Sequence, residues 1–306
     1  MDVNCKRIFV GLSGGVDSAV SAALLKQAGA EVTGVFIKGW YPPGMPCTWA
    51  SDRRDAMRVA ARLGIPFRTL DASAEYKKSV IDYLLAEYRA GRTPNPDIMC
   101  NRDVKFGAFY RYAMTKGADA IATGHYRSGE KDQSYFLWAV PKKILDSTVF
   151  PVANLDKDKV RKLAEKFNLP VASKKDSQGV CFLGPVSIKE FLQHELGSDN
   201  PALLYTIGER FEGQYVVGKN VKNGEVVTSK SRAYASKEIF FDDANWFGEP
   251  SAVTAAQCRY HGPRIAGRIR EHHFIADGAM TEIPAPGQSV VFYVNDKLVG
   301  GGIITA

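Results

Sequence analysis

Ser13-Gly14-Gly15-Val16-Asp17-Ser18 decides the fold of this 306-residue chain. The stretch follows an apolar run, Ile8-Phe9-Val10, and precedes a helical pattern with Val20, Ala23, Leu24 and Ala28 on one face. A strand, a glycine-rich turn and a helix N-terminus in that order make an anion cradle. The glycines let the backbone approach phosphates, and the unpaired N–H groups and dipole of the first helical turn face the negative charge. The stretch is not a Walker A loop, which needs Gly-Lys-Ser/Thr at its end. The plainer alternative is a glycine turn that only caps a helix.

The length allows two or three domains with a full core. Hydrophobic residues are 45% and charged residues 24%, as in ordinary globular proteins. Forty Lys and Arg stand against 33 Asp and Glu, a net charge of +7 that suits a polyanion such as RNA without requiring one. The first residues show no basic segment followed by a long apolar core, and no apolar run reaches bilayer length. A cytoplasmic enzyme with no membrane partner is expected. The five cysteines, Cys5, Cys47, Cys100, Cys181 and Cys258, form no C-x-x-C. A structural disulfide framework, a zinc ribbon and a bound metal cluster are not expected.

The first half alternates strands and helices. Arg7 to Gly11, Glu31 to Ile37, Phe67 to Leu70 and Asp119 to Thr123 read as strands. Helices are expected from Asp17 to Gly29, over Asp52 to Leu63, around Val80 to Tyr88, and over Lys105 to Lys116 with Phe106, Phe109, Tyr110 and Ala113 on one side. This alternation predicts an α/β class, a doubly wound parallel sheet. Ligands of such sheets sit at the carboxyl ends of the strands, where Gly11 to Ser18 and Gly124-His125 both fall. Further helices are expected over Asp156 to Phe167 and Ser187 to Leu196. Beyond Phe211, Tyr215-Val216-Val217, an Asn223-Gly224 turn and Val226-Val227-Thr228 signal a hairpin. Short strands continue to Ile304, so the C-terminal third reads as a small β-barrel or sandwich.

Three other segments carry chemistry. In Arg92-Thr93-Pro94-Asn95-Pro96-Asp97-Ile98-Met99-Cys100, Asn95 can cap a helix that starts at Pro96. Cys100 then lies near the first turn with Arg102 and Lys105 close by, which favours a thiolate. Asp97 neighbours Cys100 at helical spacing and can shuttle protons. The bland reading is a helix cap and a buried, inert cysteine. In Lys174 to Phe182, Cys181 ends a polar, lysine-bearing loop, and is either accessible or the start of a buried strand. In Ala122-Thr123-Gly124-His125-Tyr126, Gly124 permits close approach to a nucleotide. His125 is either a phosphate contact or a structural histidine. Lys131-Asp132-Gln133 is either an RNA contact or a solvated turn.

Ser13 to Ser18 resembles the PP-loop of the ATP pyrophosphatase superfamily, whose members cleave ATP between the α- and β-phosphates to adenylate a substrate. Ser13 to Ser18, Arg92 to Cys100, Ala122 to Tyr126, Lys131 to Leu137 and Asp176 to Phe182 follow the order and wording of the tRNA-specific 2-thiouridylases, the MnmA family. Phe150-Pro151-Val152, Pro286-Gly287-Gln288 and Gly300 to Ile304 resemble it too. The likeness spans nearly the whole chain, and the two cysteine segments are its most specific part.

That resemblance implies ATP-dependent 2-thiolation of the wobble uridine of tRNA, with the lysine, glutamate and glutamine acceptors as substrates. ATP, accompanied by Mg²⁺, is held by Gly11, Leu12, Ser13, Gly14, Gly15, Val16, Asp17, Ser18, Ile37 and Gly124. Cys181 receives a persulfide from a sulfur carrier, Cys100 either attacks that persulfide to release the thiolated base or helps free hydrosulfide, and by either route a Cys100–Cys181 disulfide results. Asp97 is the implied acid/base. Asn95, Pro96 and Asp97 meet the target base, and Lys131, Asp132, Gln133, Tyr260 and His261 contact tRNA. It also implies a PP-loop ATP-binding domain over residues 1–185, a reduced central tRNA-contacting domain over 186–212, and a C-terminal β-barrel over 213–306. The chain departs from the family by being short between Tyr126 and Lys131 and between Leu196 and Tyr215. His261 replaces a more basic residue, and Ile37 a frequent methionine. Cys5, Cys47 and Cys258 match no catalytic position and are read as structural.

Overall fold

In the computed structural model, which describes residues 3–44, 47–175, 186–231 and 236–305, Ile8 and Val10 are wholly shielded and Phe9 is 6% exposed. Strand β1 (Arg7–Gly11) is thus covered on both faces, as its unbroken apolar run requires. It pairs in parallel with β2 (Glu31–Lys38) and with β4 (Ala120–Ala122). β3 (Phe67–Asp71) and β5 (Thr148–Val149) complete a parallel sheet of order β3-β2-β1-β4-β5. The strand order reverses between β1 and β4. That switch point is where ligands of open α/β sheets bind, because the loops leaving the two strands diverge to opposite faces.

Helix α1 (Val16–Gln27) follows β1 and α2 (Trp49–Leu63) follows β2. The expected single apolar face of α1 is too narrow a reading. Val16, Ala19, Ala22 and Leu25 are buried as well, while Ala28 is exposed. The helix packs against β1 and β2, α2 and the helix Lys157–Lys166, so small residues are needed nearly all round. α2 keeps the ordinary pattern, burying Ala56, Val59 and Ala60, and ends at Gly64 in a left-handed conformation. The helix expected from Lys105 starts earlier. Pro96–Met99 leads into a wide π-type stretch, Cys100–Ala108, and then into Phe109–Thr115. A similar wide turn spans Lys77–Asp82.

Two compact units result, neither contiguous in sequence. One comprises Met1–Lys77, Cys100–Ser134 and Val140–Val186, and the other Lys78–Met99, Tyr135–Ala139 and Ser187–Ala306. In the second, β6 (Arg210–Phe211), β7 (Gln214–Asn220) and β8 (Glu225–Ser229) form a sheet of their own. The hairpin read from Asn223-Gly224 therefore stands apart from the barrel. The barrel is built of β9 (Glu238–Trp246), β10 (Ala255–Gln257), β11 (Ile265–Arg270), β12 (His273–Ala276), β13 (Ser289–Val294) and β14 (Lys297–Ile304). It closes in the order β10-β11-β12-β9-β14-β13, so no edge is left. Ile239, Phe274, Val290, Phe292 and Ile304 fill it, each wholly shielded. Among the described residues no helix is long and apolar enough to cross a membrane.

Candidate functional site

The loop after β1 is held open by its own side chains. Ser18 Oγ accepts from the Ser13 amide at 3.2 Å and donates to the Gly15 carbonyl at 3.2 Å. Ser13 Oγ accepts from the Gly15 amide at 3.3 Å. The cap residue of α1 is Gly15, which contributes no side-chain hydrogen bond to the first-turn amides, so they are left for a ligand. Gly14 has φ +79°, and a side chain there would stand 2.4 Å from the Asp52 carbonyl oxygen. Leu12 and Val16 are buried in the core, so only their backbone faces the cradle.

Gly124, at the end of β4, closes the other side of the switch point. A Cβ on it would lie 2.8 Å from the Ser18 amide nitrogen and 2.9 Å from the Asp17 carbonyl carbon. Ile37, at the end of β2, comes within 3.9 Å of the position a Gly11 side chain would take, and the Phe109 ring within 3.5 Å. Phe106 packs on His125 at a ring separation of 5.3 Å and on Phe150 at 6.1 Å. The helical stretch that begins with Cys100 therefore lies over the same end of the sheet as the cradle. Cys100 is 2% exposed. Of the two cations expected beside it, Arg102 is paired with Asp103 at 2.9 and 3.0 Å.

His125 is a structural histidine. Its Nδ1 meets Thr123 Oγ1 at 2.9 Å, and burial, reinforced by Lys105, pushes its pKa down to about 3. The imidazole is neutral at pH 7 and cannot answer phosphate as a cation. The folded pKa lies below the unfolded value of about 6.5, so the unfolded chain takes up this proton first as pH falls. Stability from this group is present above about pH 6.5 and drains away toward pH 3. Between pH 7 and pH 5 the loss is about 2 kcal/mol. His125→Gln should not show it, which urea midpoints at the two pH values would reveal. Equal losses in both proteins would reject the neutral assignment.

The cation at the cradle is one that sequence reasoning missed. Lys157 Nζ reaches Asp17 Oδ1 at 2.8 Å and Oδ2 at 2.9 Å, and Tyr126 Oη donates to Oδ1 at 2.5 Å. The lysine is 13% exposed and the carboxylate 31%. Lys174 is legible in the sequence only as part of a lysine-bearing loop, and its pairing is not. It bridges Asp52 at 2.8 Å and Asp55 at 2.7 Å, at the foot of the segment that holds Cys181. Cys181 itself, within 176–185, lies outside the described residues.

In the second unit, Asn95 Oδ1 accepts from the Asp97 amide at 3.1 Å, the cap expected of it. Asp97 is half-buried in the first turn, and the chain runs on into Cys100. Lys131, in the first unit, is exposed, and the two residues after it are held by the local backbone. Asp132 Oδ1 accepts from the Ser134 amide at 2.8 Å, and Gln133 Oε1 from the Tyr126 amide at 3.0 Å. Tyr260 packs on Phe136 with ring centres 4.6 Å apart and on His261 at 3.9 Å. His261 is exposed, with φ +58°. Cys258 is a core thiol that burial pushes up to about 12, whereas Cys5 and Cys47 are exposed and not core residues.

The family described as "tRNA methyl transferase HUP domain" matches residues 6–185, and that described as "Aminomethyltransferase beta-barrel domain" matches residues 236–304. The tRNA-specific 2-thiouridylase MnmA of Acinetobacter baylyi is 38% identical, over 98% of this chain and 97% of its own. That of Akkermansia muciniphila is 39% identical over 97% of this chain and 98% of its own, and that of Geobacillus thermodenitrificans 38% over 97% and 94%. The first alignment runs over 364 positions, more than the 306 residues here, so that relative carries segments this chain lacks.

Proposed function

The chain belongs to the tRNA-specific 2-thiouridylase family and is a tRNA sulfurtransferase, and from that premise we propose that it exchanges the C2 oxygen of the wobble uridine for sulfur at the expense of ATP. One observation supports this most. The Cys100 stretch packs through Phe106 and Phe109 against the residues that flank the phosphate cradle, so thiol and nucleotide chemistry share one end of the sheet.

ATP lies along Gly11 to Ser18, its phosphates on the amides of the α1 N-terminus and its sugar and base toward Ile37 and Gly124. Lys157 neutralises Asp17, which would otherwise repel the phosphates. The uracil O2 attacks the α-phosphorus, pyrophosphate leaves, and the C2 oxygen becomes part of a good leaving group. A persulfide on Cys181 then attacks C2, and AMP departs with the former carbonyl oxygen. The Cys100 thiolate attacks the Cys181 sulfur and breaks the S–S bond, leaving sulfur on C2. The Cys100–Cys181 disulfide is cleared by an external two-electron thiol reductant. Asp97, in the first turn before Cys100, handles the proton, and Asn95 and Pro96 shape the base pocket. The base leaves the anticodon stack to reach it. Lys131 to Gln133, Tyr260 and His261 contact the tRNA, and the lysine, glutamate and glutamine tRNAs are the substrates. A persulfide carrier supplies the sulfur.

The residues do not form a cage for Mg²⁺. Among the described residues there is no cluster of three metal-ligating side chains, and both Asp17 oxygens already meet Lys157. A magnesium ion arriving with ATP would keep mainly phosphate and water ligands.

The division into an ATP-binding domain over 1–185, a short central part over 186–212 and a C-terminal part over 213–306 belongs to the same proposal, with the correction that the barrel within the last part begins at β9, after the separate hairpin. Incubation with unmodified tRNA, ATP, Mg²⁺ and a persulfide donor tests it. Thiolated tRNA is retarded in a mercury-containing gel, and no retardation with any wobble-uridine tRNA would reject the reading.

A further inference from the structure

Between the helix Tyr83–Arg89 and the turn that carries Asp97, the chain from Arg92 to Pro94 belongs to no helix or strand. Its backbone groups must still be satisfied, since Thr93 and Pro94 are buried. The Arg92 amide donates to the Glu87 carbonyl at 2.9 Å, and the Thr93 amide to the Pro286 carbonyl at 2.7 Å. Gln288 Nε2 donates to the Thr93 carbonyl at 2.7 Å and to the Pro94 carbonyl at 3.4 Å. The Arg92 carbonyl accepts from Lys219 Nζ at 3.5 Å. Lys219 also donates to the Tyr205 carbonyl at 3.1 Å and sits 5.4 Å from the Tyr88 ring centre. Every one of these residues belongs to the second unit.

We propose that Lys219 of β7 is a positioning residue for Asp97. Its ammonium gathers the Arg92 carbonyl, the Tyr205 carbonyl and the Tyr88 ring at one point and so fixes the segment that orients the Asp97 turn. The role of Asp97 itself rests on the 2-thiolation reading above.

The choice of residue supports this. Burial pulls the Lys219 pKa down to about 8, opposed only partly by Glu209, so keeping an ammonium here is costly. Glu209 is itself shared with Lys189 at 2.7 Å. A spacer needing only bulk would be served by an apolar side chain. A lysine adds three donors aimed from one atom, two of which meet carbonyls of separate segments. Without it the Arg92 carbonyl loses this donor, and the chain that leads into the Asp97 turn loses its contact with β7. The Gln288 side remains, so the segment shifts rather than unfolds. Small misplacements of this kind act on turnover more than on substrate binding.

Lys219→Met keeps the length and removes the donors, and Lys219→Arg keeps the charge. For Lys219→Met the turnover number should fall about tenfold, with KM for ATP and for tRNA within about twofold of wild type. Lys219→Arg should recover most of the turnover. Amide hydrogen exchange across 92–99 should quicken in Lys219→Met while exchange in β13 and β14 stays unchanged. Wild-type turnover in Lys219→Met, or unchanged exchange across 92–99, overturns the proposal. Quickened exchange in a protein whose wild type thiolates no tRNA would instead sink the 2-thiolation reading and leave the anchor standing.

Discussion

Cys100→Ser is expected to lower 2-thiouridine formation in a single turnover without added thiol by on the order of a thousand-fold while ATP binding and the fold are kept. Cys100 is 2% exposed, and serine is close to it in volume, so packing changes little. The hydroxyl, however, cannot do what is proposed for the Cys100 thiolate, breaking the Cys181 persulfide. In a single turnover pyrophosphate and AMP should still appear, because both leave before Cys100 acts. The tRNA should then remain joined to Cys181 through a disulfide and be freed by added thiol. A non-reducing gel and the mercury gel together read this out. Wild-type thiolation by Cys100→Ser would return Cys100 to the plain alternative, a small buried core residue.

The second large effect is expected from Gly124→Ala. The added methyl group would stand 2.8 Å from the Ser18 amide nitrogen and 3.1 Å from Asp17 Cβ. Neither is the end of a flexible side chain, so β4 or the start of α1 must move. The amides proposed to receive the phosphates move with it, and a displacement near 1 Å costs roughly a hundredfold in rate. Pyrophosphate release on unmodified tRNA should fall by about that factor, while far-UV circular dichroism is unchanged. Gly44→Ala is the control, since nothing lies within 4 Å of its added methyl group, although φ is +79° there. Normal pyrophosphate release by Gly124→Ala would mean that phosphates do not sit on the α1 amides.

Much of the first unit is legible in the sequence because its signals are local. Ile8 to Val10 is a strand buried on both faces, Gly14-Gly15 can only be a turn, and Gly64 ends α2 as a left-handed cap should. What stays hidden depends on pairings across the chain. Lys157 opens an ordinary amphipathic helix, and nothing near it marks a partner 140 residues away in Asp17. β5 is two residues long, too short for any periodicity. The wide stretch Cys100–Ala108 shifts the helical register by local hydrogen bonding that a 3.6-residue pattern does not register. The sequence places Arg92 to Asp97 in the first half of the chain. The segment joins the second unit because its hydrogen bonds go to Pro286, Gln288 and Lys219. His125 offered two readings, and its burial beside Phe106 with Nδ1 against Thr123 Oγ1 favours the neutral, structural one.

We propose that ATP activates the uracil C2 oxygen so that sulfur can replace it. This activation is tested most directly with tRNA whose wobble uridine carries heavy oxygen at C2. The account predicts that each 2-thiouridine formed is matched by one AMP bearing that heavy oxygen on its phosphate. Thiolated tRNA accompanied only by unlabelled AMP, or by ADP and phosphate, would contradict it.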